Sequence, residues 1–126
     1  MCKFSLVFAL FMALASGVFA AVAQLDSDLM QAVEDTNKSL SSNLLLKNAP
    51  ASLTDVRELD AMFAEIEGYY VAKGDAADAV ELSRKSRALA AEIQKSVQAS
   101  EFDHAVTLSS ELSRTCKTCH NFYKKS

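Results

Sequence analysis

Residues 56–70 read VRELDAMFAEIEGYY, and the spacing of their apolar members decides the fold class. Val56, Leu59, Phe63, Ile66 and Tyr70 recur at alternating intervals of three and four. That is the period of one face of an α-helix, whereas a strand would alternate residue by residue. Arg57, Glu58, Asp60, Glu65 and Glu67 fill half of the remaining positions. The stretch therefore predicts an amphipathic helix with one buried stripe. Ser52 and Asp55 resemble a capping box ahead of it. Gly74 suits the left-handed residue that stops it, giving a helix over about 53–73.

The same test extends outward in both directions. Upstream, Met30, Val33, Leu40 and Leu44 mark a helix over about 27–47, with polar Asn37 interrupting the stripe and Leu29 and Leu45 widening it. Asp26, Ser27 and Asp28 supply a cap and a negative first turn, and Asn48-Ala49-Pro50 ends the helix. Downstream, Ala79, Leu82, Ser86, Leu89, Ile93 and Val97 mark a third helix that begins at Asp75 and breaks at Ala99-Ser100. Phe102, Ala105, Ser109, Leu112, Cys116, Cys119 and Tyr123 carry the stripe of a fourth, from Phe102 to the end. The composition agrees: half the residues are hydrophobic, and only three glycines and one proline interrupt the chain. Four helices of about 20 residues joined by short turns predict an all-α, antiparallel up-down-up-down four-helix bundle in a single domain. A helical hairpin dimer, or three helices with the first one loose, would also satisfy the pattern.

The chain begins MCKFSLVFALFMALASGVFAAVAQ, which reads as a secretory leader. Lys3 supplies the positive start, Phe4 to Phe19 an uncharged and mostly apolar run, and Ala21-Val22-Ala23 the small-x-small cleavage pattern. Residues 1–23 are thus predicted to be a cleaved signal peptide and residues 24–126 the domain; cleavage after Ala20 is the second choice. The competing reading, an uncleaved anchor, suffers because the run is short for a span and is broken by Ser16 and Gly17. No stable membrane insertion is expected after cleavage, and export predicts a periplasmic protein. Of three cysteines, Cys2 leaves with the leader, so Cys116 and Cys119 remain. Thirteen Lys and Arg face sixteen Asp and Glu, a net charge of −3 that becomes one unit more negative without Lys3. That balance argues against a nucleic-acid partner.

Cys116-Lys117-Thr118-Cys119-His120 carries the chemistry. Covalent haem needs two thiols to add to its two vinyl groups and an imidazole placed to reach the iron, and Cys-x-x-Cys-His supplies both. On a helix, Cys116, Cys119 and His120 fall at i, i+3 and i+4, on one face. Other readings stay open here. A thioredoxin-like dithiol sits at a helix start beside a strand, where its pKa is lowered, and this pair lies near a helix end. Structural zinc takes four ligands. The only other histidine, His104, precedes His120 by about 24 Å of helical rise. A plain disulfide would leave His120 incidental.

With that motif near the end of the last of four helices, the chain resembles a class II c-type cytochrome, of the cytochrome c prime family and its low-spin relatives. Tyr123 and Lys124 after His120 agree with the resemblance, and class I cytochromes c typically carry the motif near the N-terminus. The resemblance implies an antiparallel four-helix bundle holding one covalent haem c at the C-terminal end of the last helix. It implies His120 as the proximal iron ligand. In low-spin relatives a Met early in the first helix is the distal ligand, and Met30 occupies such a place. A thioether on iron raises the potential; the competing reading is that Met30 only packs against the haem. Met62, mid-helix, is expected in or near the core. Phe63, Ile66, Tyr69 and Tyr70 are candidate pocket walls, with Phe63 and Tyr70 preferred together with Tyr123. Asn37 either bonds a haem carboxylate or lies at a seam edge. Lys124 either approaches the imidazole or a haem carboxylate, or complements the helix end. Arg114, Lys117, Lys124 and Lys125 make this end basic, which would steer an acidic redox partner.

The expected function is a periplasmic carrier of single electrons, not an enzyme, with redox proteins as partners. The alternative is a five-coordinate haem protein that binds NO or CO. Oligomeric state is left open, a homodimer included.

Overall fold

The computed structural model describes the backbone over residues 17–123 and side chains over 27–121. Most of the expected leader, together with Lys124, lies outside the described residues, as does the side chain of Tyr123. Four helices follow one another: α1, Gly17–Leu45; α2, Ala49–Lys73; α3, Ala77–Gln98; and α4, Phe102–Tyr123. No strand occurs among the described residues, and no described helix is long and apolar enough to cross a membrane. The chain divides between Met30 and Gln31. The bundle belongs to the second unit, which holds the later turns of α1 and all of α2, α3 and α4.

The apolar stripe of residues 56–70 is the core of α2. Val56, Leu59, Phe63, Ile66 and Tyr70 are all buried, and Ser52 joins them one turn earlier. Val33, Leu40 and Leu44 of α1 are buried, as are Ala79, Ser86, Leu89, Ile93 and Val97 of α3 and Ala105, Ser109 and Leu112 of α4. Some stripe positions depart from expectation, half-buried Met30 and Phe102 among them. Leu45 is 71% exposed, because α1 ends there and the chain turns away. Leu82 is half-buried while Ser83 beside it is buried, so small side chains line much of α3.

Helix starts also differ. No cap forms at Asp26–Asp28; α1 is already helical from Gly17. α2 begins four residues ahead of Leu53, with Asn48 as its cap: the Asn48 side chain accepts from the Ala51 amide, and Pro50 sits in the first turn. Proline is tolerated there because the first-turn N–H groups have no helical acceptor. Ser52 is therefore interior, and Asp55 instead accepts Ser39 Oγ at 2.9 Å and Asn43 Nδ2 at 2.7 Å from α1. α3 begins at Ala77 with Ala76 as its cap residue, and no side chain caps it. Gly74 closes α2 as expected, at φ 82°.

Polar contacts set the register. Arg84 of α3 meets Glu67 of α2 at 2.8 Å, and Arg87 meets Glu67 and Asp60 at 3.3 and 3.1 Å. Lys85 reaches Glu111 of α4 at 3.2 Å. Asn37 Nδ2 donates to Ser113 Oγ at 2.9 Å, and Ser41 Oγ lies 3.3 Å from Ser109 Oγ, joining α1 to α4. Each helix thus packs antiparallel to its sequence neighbours, and α4 returns to α1 to close the bundle.

Candidate functional site

The stripe of α4 runs outward from buried Ala105, Ser109 and Leu112 to half-buried Cys116 and Cys119, and ends on exposed His120. Helical spacing puts the two sulfurs and the imidazole on one face. Thr115, beside Cys116, is buried and donates to the Glu111 carbonyl. Both cysteines are thiols rather than a disulfide. Burial pushes the Cys116 thiol up to about 11, with the neighbouring Cys119 sulfur adding to the effect and a backbone hydrogen bond opposing it. A redox dithiol needs the opposite shift, since the thiolate is the nucleophile. Among the described residues, no three His, Cys, Asp or Glu side chains converge as a set able to hold a metal ion.

The Lys85–Glu111 register carries Ala79 of α3 to about the level of Lys117, Ser83 to that of Ser113, and Ala76 to that of His120. Ala76, Ala79 and Ser83 are all buried. The wall that α3 offers beside the thiols is therefore built from the smallest side chains, which suits a large flat group held at Cys116 and Cys119. The expected stripe of α3 held Ala79 of this wall but took Leu82 in place of Ser83 and left out Ala76; the Ala76, Ala79, Ser83 spacing was the available signal.

From α1, Glu34 faces the same end. The Lys38 ammonium, at 2.8 Å, holds its carboxyl below the usual carboxylate range, and the charge of His120 adds a weaker pull. From α2, Tyr70 is buried, with its ring edge-on to that of half-buried Tyr69 at 5.1 Å between centroids. Through the Glu67–Arg84 and Lys85–Glu111 contacts, Tyr70 lies at about the level of Arg114. Phe63 lies roughly 13 Å deeper along the axis than Cys116, in the middle of the core. Met62 is half-buried. Met30 is half-buried in the unit that precedes the bundle.

The donor set fits a covalently attached haem: two thiols at the required spacing, an imidazole next to the second, and a small-residue wall beside them. Arg114 and Lys117 are exposed on the outer side of α4. The opposite end of the bundle carries an open depression of about 340 Å³, lined by Lys47, Ser100, Glu101, Phe102, Asp103 and His104. No thiol reaches it. Comparison with protein-family models, curated proteins and solved structures gives no match for the chain.

Proposed function

We propose that this chain is an exported c-type cytochrome of the class II kind, carrying single electrons through one haem attached to Cys116 and Cys119. The observation that carries the reading is the placement of Cys116, Cys119 and His120 on one face at the end of a four-helix bundle. When bound, the haem supplies a one-electron ferric/ferrous couple. Cys116 and Cys119 anchor it as thioethers, a role that needs no lowered thiol pKa in the finished protein. His120 would hold the iron through its imidazole. Met30, on the stripe of α1, would be the second protein ligand of the iron, a role carried over from its place in the sequence alone. Tyr70, with Ala76, Ala79 and Ser83, excludes water from the inner side, and Phe63 belongs to the core beneath. Arg114 and Lys117 offer a positive rim to an acidic redox protein.

The test is an optical spectrum of the exported protein. Haem absorbance that stays with the chain after denaturing extraction supports covalent attachment, and its loss overturns the reading. A low-spin spectrum indifferent to CO supports the carrier. A high-spin ferrous band that shifts readily with CO overturns it in favour of NO or CO binding.

A further inference from the structure

Between α1 and α4 a polar atom is left without a partner. Asn37 lies on the buried stripe of α1, between Val33 and Leu40. Its Nδ2 donates to Ser113 Oγ at 2.9 Å. The Ser113 hydroxyl donates in turn to the Ser109 carbonyl at 3.0 Å. With the hydroxyl proton so placed, Ser113 Oγ accepts from Asn37 Nδ2. Asn37 Oδ1 is then shut away from solvent with no donor. Buried polar atoms nearly always find a partner, and leaving one unmet is costly.

The position of this atom is informative. Ser113 precedes Cys116 by three residues, so the amide sits on the thiol-bearing face, about 4.5 Å along the axis from Cys116. Ser83, small and buried, is at the same level on α3. The Ser113 hydroxyl is also a rotor. Turned from the Ser109 carbonyl toward Asn37, it lets the amide reverse and present Nδ2–H inward. Asn37 can therefore meet either an acceptor or a donor.

We infer that Asn37 is the interior polar contact for the haem: its amide hydrogen-bonds one of the cofactor's carboxyl groups. This rests on the covalent-haem reading. The rim of haem is otherwise apolar, so its carboxyl groups are the polar partners it brings into a core. An ionised carboxylate takes the Nδ2–H of the reversed amide, and a protonated one donates to Oδ1.

The test is Asn37→Leu in the haem-loaded, full-length chain, in a Ser113→Ala background so that the interhelical bond is already absent. If Asn37 serves the cofactor, the melting temperature of the loaded protein falls by several degrees. If Asn37 is only an unmet amide at a seam edge, or holds a buried water, removing it leaves the melting temperature unchanged or raises it, and the inference is overturned. Should the variant fail to fold, the unmodified protein decides. The Asn37 side-chain NH₂ resonances must shift between the ferric and ferrous states, and resonances that do not move overturn the assignment. Protein that holds no covalent haem sinks this inference and the reading beneath it together. Covalent haem with an indifferent Asn37 sinks the inference alone.

Discussion

At the scale of single residues, burial acts strongly on the Cys116 thiol. Its rise from 9.0 to about 11 means the folded chain without haem prefers the neutral thiol. The stabilisation this represents is fully present below the unfolded value and is lost as pH climbs from about 9 to about 11. Denaturant unfolding of the haem-free protein across that range is expected to show a fall that Cys116→Ser abolishes. Thiolate at pH 8 should be roughly 100-fold scarcer than in an ordinary cysteine, so alkylation of Cys116 should be slow until the chain unfolds. In the loaded protein, Met30→Ala is expected to convert a low-spin spectrum to a high-spin one; an unchanged spectrum would remove Met30 from the iron. The five-residue motif was fully legible in the sequence because its chemistry depends on spacing along a single helix. Of the wall of Ala76, Ala79 and Ser83 only Ala79 was, because the wall's meaning comes from a neighbouring helix and from the absence of bulk.

Among the elements, α2 shows how far local pattern reaches. Its buried stripe follows directly from periodicity, since five apolar residues at three- and four-residue intervals leave one face to bury. Its start does not. Ser52 and Asp55 imitate a capping box, but Pro50 is as compatible with a first turn as with a break, and Asn48 can cap from further back. Asn48→Ala is expected to cost about 1 kcal/mol by denaturant titration. Ser52→Ala should cost little or nothing, because the buried Ser52 Oγ has no partner. The α2–α3 pairing has its own pH signature. Arg84 foremost, aided by Arg87, holds the Glu67 carboxyl below its usual range. A depressed carboxylate stabilises above its unfolded pKa and loses that contribution as pH falls through the folded value. Thermal melts from neutral to acidic pH should therefore decline less steeply in Arg84→Gln, Arg87→Gln than in the parent.

For the molecule as a whole, the thiol-bearing end and the core form one system. Cys116 and Cys119 continue the stripe that Ala105, Ser109 and Leu112 begin, so a group attached there completes the interior at that end. The Cys116→Ala, Cys119→Ala double variant should melt several degrees below the loaded protein and show looser packing by circular dichroism; an unchanged melting temperature would contradict the coupling. The bundle itself was legible, because four periodic stripes separated by short turns leave few other arrangements. The polar links that set its register were not, since Asp55 with Asn43 and Asn37 with Ser113 are partnerships across space.

The closure of α1 onto α4 carries a kinetic consequence. The hydrogen bonds recorded across that seam run through amide and hydroxyl groups, Asn37 with Ser113 and Ser41 with Ser109. Water can take over such neutral contacts once the seam opens locally. The seam is thus the place where the bundle should first come apart, with the turns of α1 after Met30 peeling as a unit. Backbone amides over residues 31–45 are expected to exchange with deuterium ahead of those in α3. The transient gap would open beside Cys116, giving a flat prosthetic group a side entrance to the interior without global unfolding.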